Sequence, residues 1–428
     1  MAFGDMPSIY SQDSMVAYTT STYNTGWMNG DIKGAFLSDT DDTDLVGGEL
    51  VTNGTFDTDT DWTKGTGWTI GSGVASADGS ATSATEIGQT ITTTPGATYI
   101  ATWDIINRTA GGLRLRVAGQ EVGGIYTSDG SYSYRFTADS ASETISLQDT
   151  TGDFVGDIDN ISVKLADADR SVNAQGLGVN GTVTRTPVAS GADLVAYSGF
   201  SASNYLEQPY NPDLDFGTGD FAIMGWVKIG GTSGIIFDSR DSSNTEGIVV
   251  YFSGGVPAII TRSGSSSSLT TSPDSANDGT WRFVCFTRTN TGTTQSIYID
   301  GELSASDSVI ARDITGSDDV SYIGVNYNTA SAFPGSLALI RISATAPTAE
   351  QIRKIYEDEK VLFQENAQAT LYGTSDAVTA LAHDPVTDLL HVGTSDGRSV
   401  FQGLRRVDNT TDAVGTAISA SNNLIVEE

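Results

Sequence analysis

The chain has 428 residues, too many for one ordinary core, and length alone predicts roughly two to four domains. Lysine and arginine number 22 against 53 aspartates and glutamates, a formal net charge of −31 spread along the chain rather than gathered in one tail. A surface of that sign repels phosphate backbones and anionic lipid, which argues against nucleic acid and membrane as partners and favours solubility or divalent cations. Only 18% of residues are charged while glycine numbers 48, and Ser, Thr and Asp crowd between short Val/Ile/Tyr/Phe runs, the punctuation of an all-β protein with little helix.

Residues 1–47 hold few periodic apolar positions and end in an acidic polar run, "SDTDDTD", so they are read as an N-terminal attachment arm that docks elsewhere. The start, "MAFGDMPSIYSQDS", has no basic segment and no apolar run, which predicts synthesis in a reducing cytosol without a secretion signal. Residues 48–166 open with "GELVTNGTFD" and close with "GDIDNISVKLA"; between them "TYIATWDI", "LRLRVAG", "SYSYRFTA" and "ETISLQD" alternate in hydrophobicity and are bounded by Gly, Asp or Ser. That pattern predicts a β-sandwich of about eight strands. Both ends resemble the first and last strands of the carbohydrate-binding jelly rolls of the galactose-binding and family 4/9 type. The resemblance implies a structural calcium where those ends meet, with Asp57 and Asp159 as its carboxylate ligands; the residues alone read equally as turn-forming aspartates.

Residues 167–195 are small and polar with little periodicity, a linker with at most one bridging strand. Residues 196–364 contain "DGTWRFVCFTRTNTGTTQSIYIDGE", two apolar runs around a Thr/Gly/Asn loop and then a tight Asp300-Gly301 turn, read as antiparallel strands. With "YLEQPYNPDLDFGTGDFAIMGWVKI" before it and "YIGVNYNTASAFPGSLALIRISATAPTAEQIRKIYEDE" after it, the segment resembles the concanavalin A-like lectin/glucanase superfamily in its laminin G-like form, a second sandwich. It closes with one short helix over 348–363: Thr348 and Gln351 form a capping box, and Ile352, Ile355, Tyr356 and Leu362 recur at helical spacing. Residues 365–428, a small C-terminal β piece, contain "AVTALAHDPVTDLLHVGTSDGRSVFQGL", which resembles a single propeller blade without a second copy in the chain. One blade cannot hide both of its faces, which predicts assembly of this segment with other copies, as a homotrimer. The fold class expected is therefore all-β, two jelly-roll sandwiches in tandem flanked by an arm and a β tail.

The sequence carries no catalytic signature. Glucanases of the concanavalin-like fold use paired carboxylates spaced Glu-x-Asp-x-Glu, and that spacing is absent. The two histidines, His383 and His391, flank a turn in the tail; the single cysteine, Cys285, sits between Val284 and Phe286 as a small buried apolar residue. Binding remains. Sugars are held by aromatic faces and planar polar groups, and the candidates are Trp62, Trp68, Tyr126 and Tyr132 in the first sandwich and Tyr251 and Tyr327 in the second; Tyr99, Trp103, Tyr134 and Tyr322 are read mainly as core. The whole arrangement, including "NTGWMNGDIKGAFLSDTD", resembles tailed-phage virion proteins of fibre or head-decoration type. That resemblance implies a non-enzymatic virion protein whose arm contacts other virion proteins and whose sandwiches contact host-surface glycan. The alternatives are a purely structural decoration protein and a polysaccharide-degrading enzyme with accessory modules.

Overall fold

The computed structural model describes residues 31–428 apart from positions 172, 174, 316–319, 369, 374–376, 404, 423 and 428; of the first thirty residues it describes only the strand pair Ser14–Val16 and Met28–Asn29. The protein is all-β, with antiparallel sheets throughout and, among the described residues, a single α-helix. No described helix is long and apolar enough to cross a membrane.

The reading of residues 1–47 as an attachment arm that docks elsewhere needs correction from residue 32 onward; most of what precedes lies outside the described residues. Strand β1 (Ile32–Phe36) pairs with Gly335–Ser343, and β2 (Leu45–Gly47) pairs with Leu177–Pro187. The cause is local: Ala35, Phe36 and Leu37 are all buried, and Phe36 and Leu37 join the largest core of the protein. Five residues cannot shield such a run alone, so they add to an existing sheet edge.

Residues 48–166 form the first sandwich. One sheet runs in the order Gln120–Tyr126, Leu113–Val117, Ser142–Asp149, Thr85–Thr92, Thr63–Lys64. The other is built around β3 (Thr98–Ala110), flanked by β4 (Gly130–Thr137) and β5 (Val155–Asp167), with Val74–Asp78 and Trp68–Gly71 beyond β5. Alternation along β3 turns Ala101, Trp103 and Ile105 into the core beside Leu115, Ile145 and Phe154. The opposite face carries Thr102 and Asp104.

The linker reading of 167–195 is also corrected. Strand β6 (Leu177–Pro187) has four partners: its start pairs with the end of β5 and with β7 (Tyr205–Gln208), its middle with β2, and its end with Val195–Ser198. Gly181, at φ 63°, makes the change of direction, and a Cβ there would meet the Ser203 carbonyl oxygen at 2.2 Å. The strand ties the two sandwiches together.

The second sandwich has one sheet in the order β7, Ser321–Ile323, Gly234–Asp238, Gly247–Ser253, Val256–Ser263, Ser266–Thr271. The facing sheet runs β1, β8 (Gly335–Ser343), Phe221–Ile229, Arg282–Thr289, Thr294–Ile299, Glu302–Ser308. The hairpin expected from the sequence is present, with Val284 opposite Ile299 and positive φ at both Asp300 and Gly301. Helix α1 (Ala349–Glu359) has both halves of its capping box and continues as a 3-10 turn to Phe363. Ile352 and Ile355 pack on the outer side of that sheet among Trp226, Phe283 and Cys285. Cys285 is fully buried, and burial pushes its thiol up to about 12, so it is inert.

The tail is a four-stranded sheet, Ala380–Asp384, Leu389–Thr394, Gly397–Gln402 and Arg405–Thr410, with a hairpin Ile418–Ser421/Leu424–Glu427. Its core is small: Leu371, Val392 and Phe401, with Leu390 alongside. Leu381, Val386, Leu424 and Val426 are exposed. His383 bonds to the carboxylate of Asp388 at 2.9 Å, whereas His391 is buried.

Candidate functional site

The outer face of the β3–β4–β5 sheet and the beginning of the second sandwich enclose a cleft of about 250 Å³. Residues directly opposite in an antiparallel pair share a face, so the register Thr102↔Ser133 and Asp104↔Ser131 places these four polar side chains on one floor. Across β3, Asp104 also faces Asp159. The ladder then slips between Asp159 and Ser162, and Asn160 takes the left-handed conformation at φ 51°. The bulge brings the Asn160 amide back over the floor, where its Nδ2 donates to Asp104 Oδ2 at 2.7 Å. Ser131 Oγ donates to the other Asp104 oxygen at 2.6 Å. Asp104 is therefore held in one orientation by neutral donors.

The far wall comes from the second sandwich: Glu207 on β7, then Pro209, Tyr210 and Val320. Lys164, near the end of β5, reaches Glu207 at 2.6 Å and Asn180 at 2.9 Å, bridging first sandwich, β6 and β7. Tyr210 donates from its hydroxyl to Asp215 at 2.7 Å, which fixes a half-buried ring at the mouth. Planar amide and carboxylate groups beside an aromatic ring are the groups that bind sugar hydroxyls and sugar faces.

The cleft is acidic. The Asp159 carboxyl is raised above the usual carboxylate range, first by burial and then by the negative charges of Asp104 and Asp57. None of Asp57, Asp104 and Asp159 makes an ion pair among the described residues.

The sequence candidates are dispersed. Trp62 and Trp68 are corrected from binding residues to core: they are 8% and 5% exposed, Trp62 Nε1 donates to the Asn53 carbonyl at 2.9 Å, and Trp68 stacks on Phe154 at 6.1 Å. Tyr126 and Tyr132 are half-buried and form one aromatic cluster with Trp103, with ring centroids 4.5 to 6.0 Å apart. Of the six candidates only Tyr132 lines the cleft. Tyr251 and Tyr327 belong to a different cluster, in which the Arg240 guanidinium lies over the Tyr327 ring at 5.0 Å and is itself bound to Asp238 and Asn244. Asp104, Asn160, Glu207 and Tyr210 are not among the sequence candidates. "DIDNISV" contains Asn160 and "EQPYNP" contains Tyr210, but only the fold brings them together.

The two ends of the first sandwich do meet. Glu49 accepts from the Val51 and Val163 amides at 3.0 and 2.8 Å and from Ser162 Oγ at 2.5 Å, while Leu50 N bonds to the Val163 carbonyl. Asp57 is exposed and accepts from Thr55 Oγ1; Asp159 accepts from the Asn160 amide. Carboxylate oxygens suit calcium, but no three metal-ligating side chains converge among the described residues.

No curated protein matches the chain. Among solved structures, the binding domain of Paraclostridial Mosquitocidal Protein 1 aligns with 15% identity and a TM-score of 0.39, over 54% of this chain and 62% of that one. The binding domain of botulinum neurotoxin DC in complex with rat synaptotagmin II aligns with 16% identity and a TM-score of 0.36, over 56% and 60% of the two chains. The same domain in complex with SialylT gives 16% and 0.36, over 59% and 62%. This chain thus spans less than two thirds of the length of each. Residues 200–353, which hold most of the second sandwich, match the family described as the Concanavalin A-like lectin/glucanases superfamily.

Proposed function

We propose that the protein binds glycan without catalysis, as a structural protein of a tailed-phage particle that displays its two sandwiches toward the host surface. The observation that carries the binding reading is the cleft itself, where Tyr210, Asp104, Asn160 and Glu207 converge from two sandwiches, one of them lectin-type. Absence of the Glu-x-Asp-x-Glu strand favours binding over hydrolysis. The virion role is supported by the layout of arm, sandwiches and tail in the sequence. Since β1 (Ile32–Phe36) is built into the second sandwich, contacts to other virion proteins are assigned to the residues before it.

On a glycan array, wild-type protein is expected to retain a defined subset of host-type glycans, and Tyr210→Ala to weaken binding about tenfold by removing the ring face. A Tyr210→Ala protein that is folded and binds unchanged places the glycan elsewhere. Binding of no glycan by wild-type protein leaves the purely structural decoration reading, which the burial of Trp62 and Trp68 favours.

Calcium at Asp57 and Asp159 belongs to the same proposal. An ion that binds only the native state stabilises it by mass action, about 4 kcal/mol at 1,000-fold excess over its dissociation constant. Calcium is expected to raise the melting temperature of the wild type over EDTA-treated protein and to leave Asp159→Asn unchanged; identical melting curves for the wild type remove the ion from the account.

The tail is proposed to assemble a homotrimer, covering the exposed Leu381, Leu424 and Val426 and the open edge of Leu424–Glu427. Light scattering of the full-length protein is expected to give three times the monomer mass, and deletion of 378–428 to give a monomer. A full-length monomer at micromolar concentration refutes the trimer.

A further inference from the structure

Resting on the glycan reading of the cleft, we infer that its ligand is an amino sugar whose free ammonium group is received by Asp104. The floor presents acceptors. Asp104 uses one lone pair of each oxygen on Ser131 and Asn160, neither of them charged, and keeps the others for a ligand. Thr102 and Ser133 flank it with hydroxyls, and the wall adds Glu207. Lys164 is already committed to Glu207 and Asn180 and so neutralises the wall, not the floor.

This leaves an imbalance that a ligand must correct. A neutral sugar offers hydroxyl donors to Asp104, whereas an ammonium offers three donors and the opposite charge, and charge-assisted hydrogen bonds are roughly twice as strong as neutral ones. A uronate or other acidic sugar would bring a further negative charge beside Asp104 and Asp159. Burial first, and then the negative charges of Asp104 and Asp57, raises the Asp159 carboxyl at this end of the sheet. The order of preference is thus amino over neutral over acidic sugar, with the ring seated against Tyr210.

The experiment is calorimetric titration of the full-length protein at pH 5.5 and 0.3 M salt with three tetramers: glucosamine, N-acetylglucosamine and galacturonate, against wild type, Asp104→Asn and Tyr210→Ala. The expected result is at least tenfold tighter binding of the glucosamine tetramer than of its acetylated counterpart, reduced to within about threefold by Asp104→Asn. Because Asp104→Asn changes the formal charge by one in 31, its effect is local; an amino preference that survives it unchanged is general attraction of a cation to an acidic protein and overturns the inference. Equal affinity for amino and acetylated sugars, preference for galacturonate, or binding that appears only with added calcium also overturns it, and leaves glycan binding in place if Tyr210→Ala still weakens the interaction. Failure of all three tetramers to bind wild type overturns the inference and counts against the cleft as a glycan site.

Discussion

Replacing Glu359 by alanine is expected to cost about 3–5 kcal/mol, the penalty for removing one partner of a buried, hydrogen-bonded ion pair. Glu359 is the last residue of α1 and is completely buried. One oxygen accepts from Trp226 Nε1 at 2.8 Å and from Arg341 Nη2 at 2.9 Å, and the other engages Arg341 Nη1. Arg341 lies on β8, the strand that also carries β1, and is itself only 3% exposed. The indole of Trp226 is clamped between Phe363 and Tyr356, with centroids at 4.2 and 5.8 Å. Helix, β8 and the Phe221–Ile229 strand therefore share one carboxylate. Its loss leaves the Arg341 guanidinium in a low-dielectric space without its counter-charge, and at this size the melting temperature of the second sandwich should fall by roughly 10 °C or more. Glu359→Gln, which keeps an acceptor for Trp226, should be as damaging for Arg341. The double change Arg341→Leu with Glu359→Met should recover most of the loss, since a well-packed apolar pair does not carry the desolvation penalty. Thermal unfolding followed by tryptophan fluorescence measures all three; a Glu359→Ala loss under 1 kcal/mol shows that water reaches the pair.

Elements with a strong local period are legible in the sequence. The 282–299 hairpin, the capping box of α1 and the alternating strands of the first sandwich each combine an apolar repeat with turn or cap residues, and all appear where the sequence puts them. Strand β6 escapes a reading by periodicity because Gly178, Asn180 and Gly181 interrupt its pattern; those interruptions are what let one strand serve several partners in turn. Trp62 and Trp68 mislead for another reason. Composition marks an aromatic as useful for stacking but does not say which side of the sheet it faces, and Trp68 faces Phe154. The cleft leaves no local trace at all. Its residues come from positions 102–104, 131–133, 160, 207, 209, 210 and 320, and they meet because β6 sets the second sandwich against the outer face of β3.

The same junction should make stability fall as pH rises from about 4 to 7. Asp167, at the end of β5, is completely enclosed, and burial first, then the neighbouring Asp39 carboxylate, pushes its pKa up to about 7. Arg185, the Tyr197 hydroxyl donating at 3.2 Å, and Arg170 oppose the shift without cancelling it. The arginines are occupied elsewhere: Arg185 reaches Asp39 at 3.1 Å and Asp41 at 2.9 Å, and Arg170 reaches Asp39 at 3.6 Å. A carboxyl whose folded pKa exceeds its unfolded value binds a proton more tightly in the native state. Its contribution is complete below the unfolded value near 4 and is lost as pH passes through 7. The rise from near 4 to about 7 sets an upper bound of roughly 4 kcal/mol on that loss. Asp167→Asn keeps the shape and an acceptor for Tyr197 while removing the titration, so its stability relative to wild type should climb between pH 4.5 and 7.5. Taking the difference between the two proteins cancels the general repulsion that the net charge of −31 adds as pH rises. Urea unfolding at four or five pH values measures it. A difference that stays flat across the window means that Asp167 is ionised in the folded protein throughout, with Arg185 turned from Asp39 toward Asp167, and the lock between arm, β5 and β6 is then an ion pair rather than a proton.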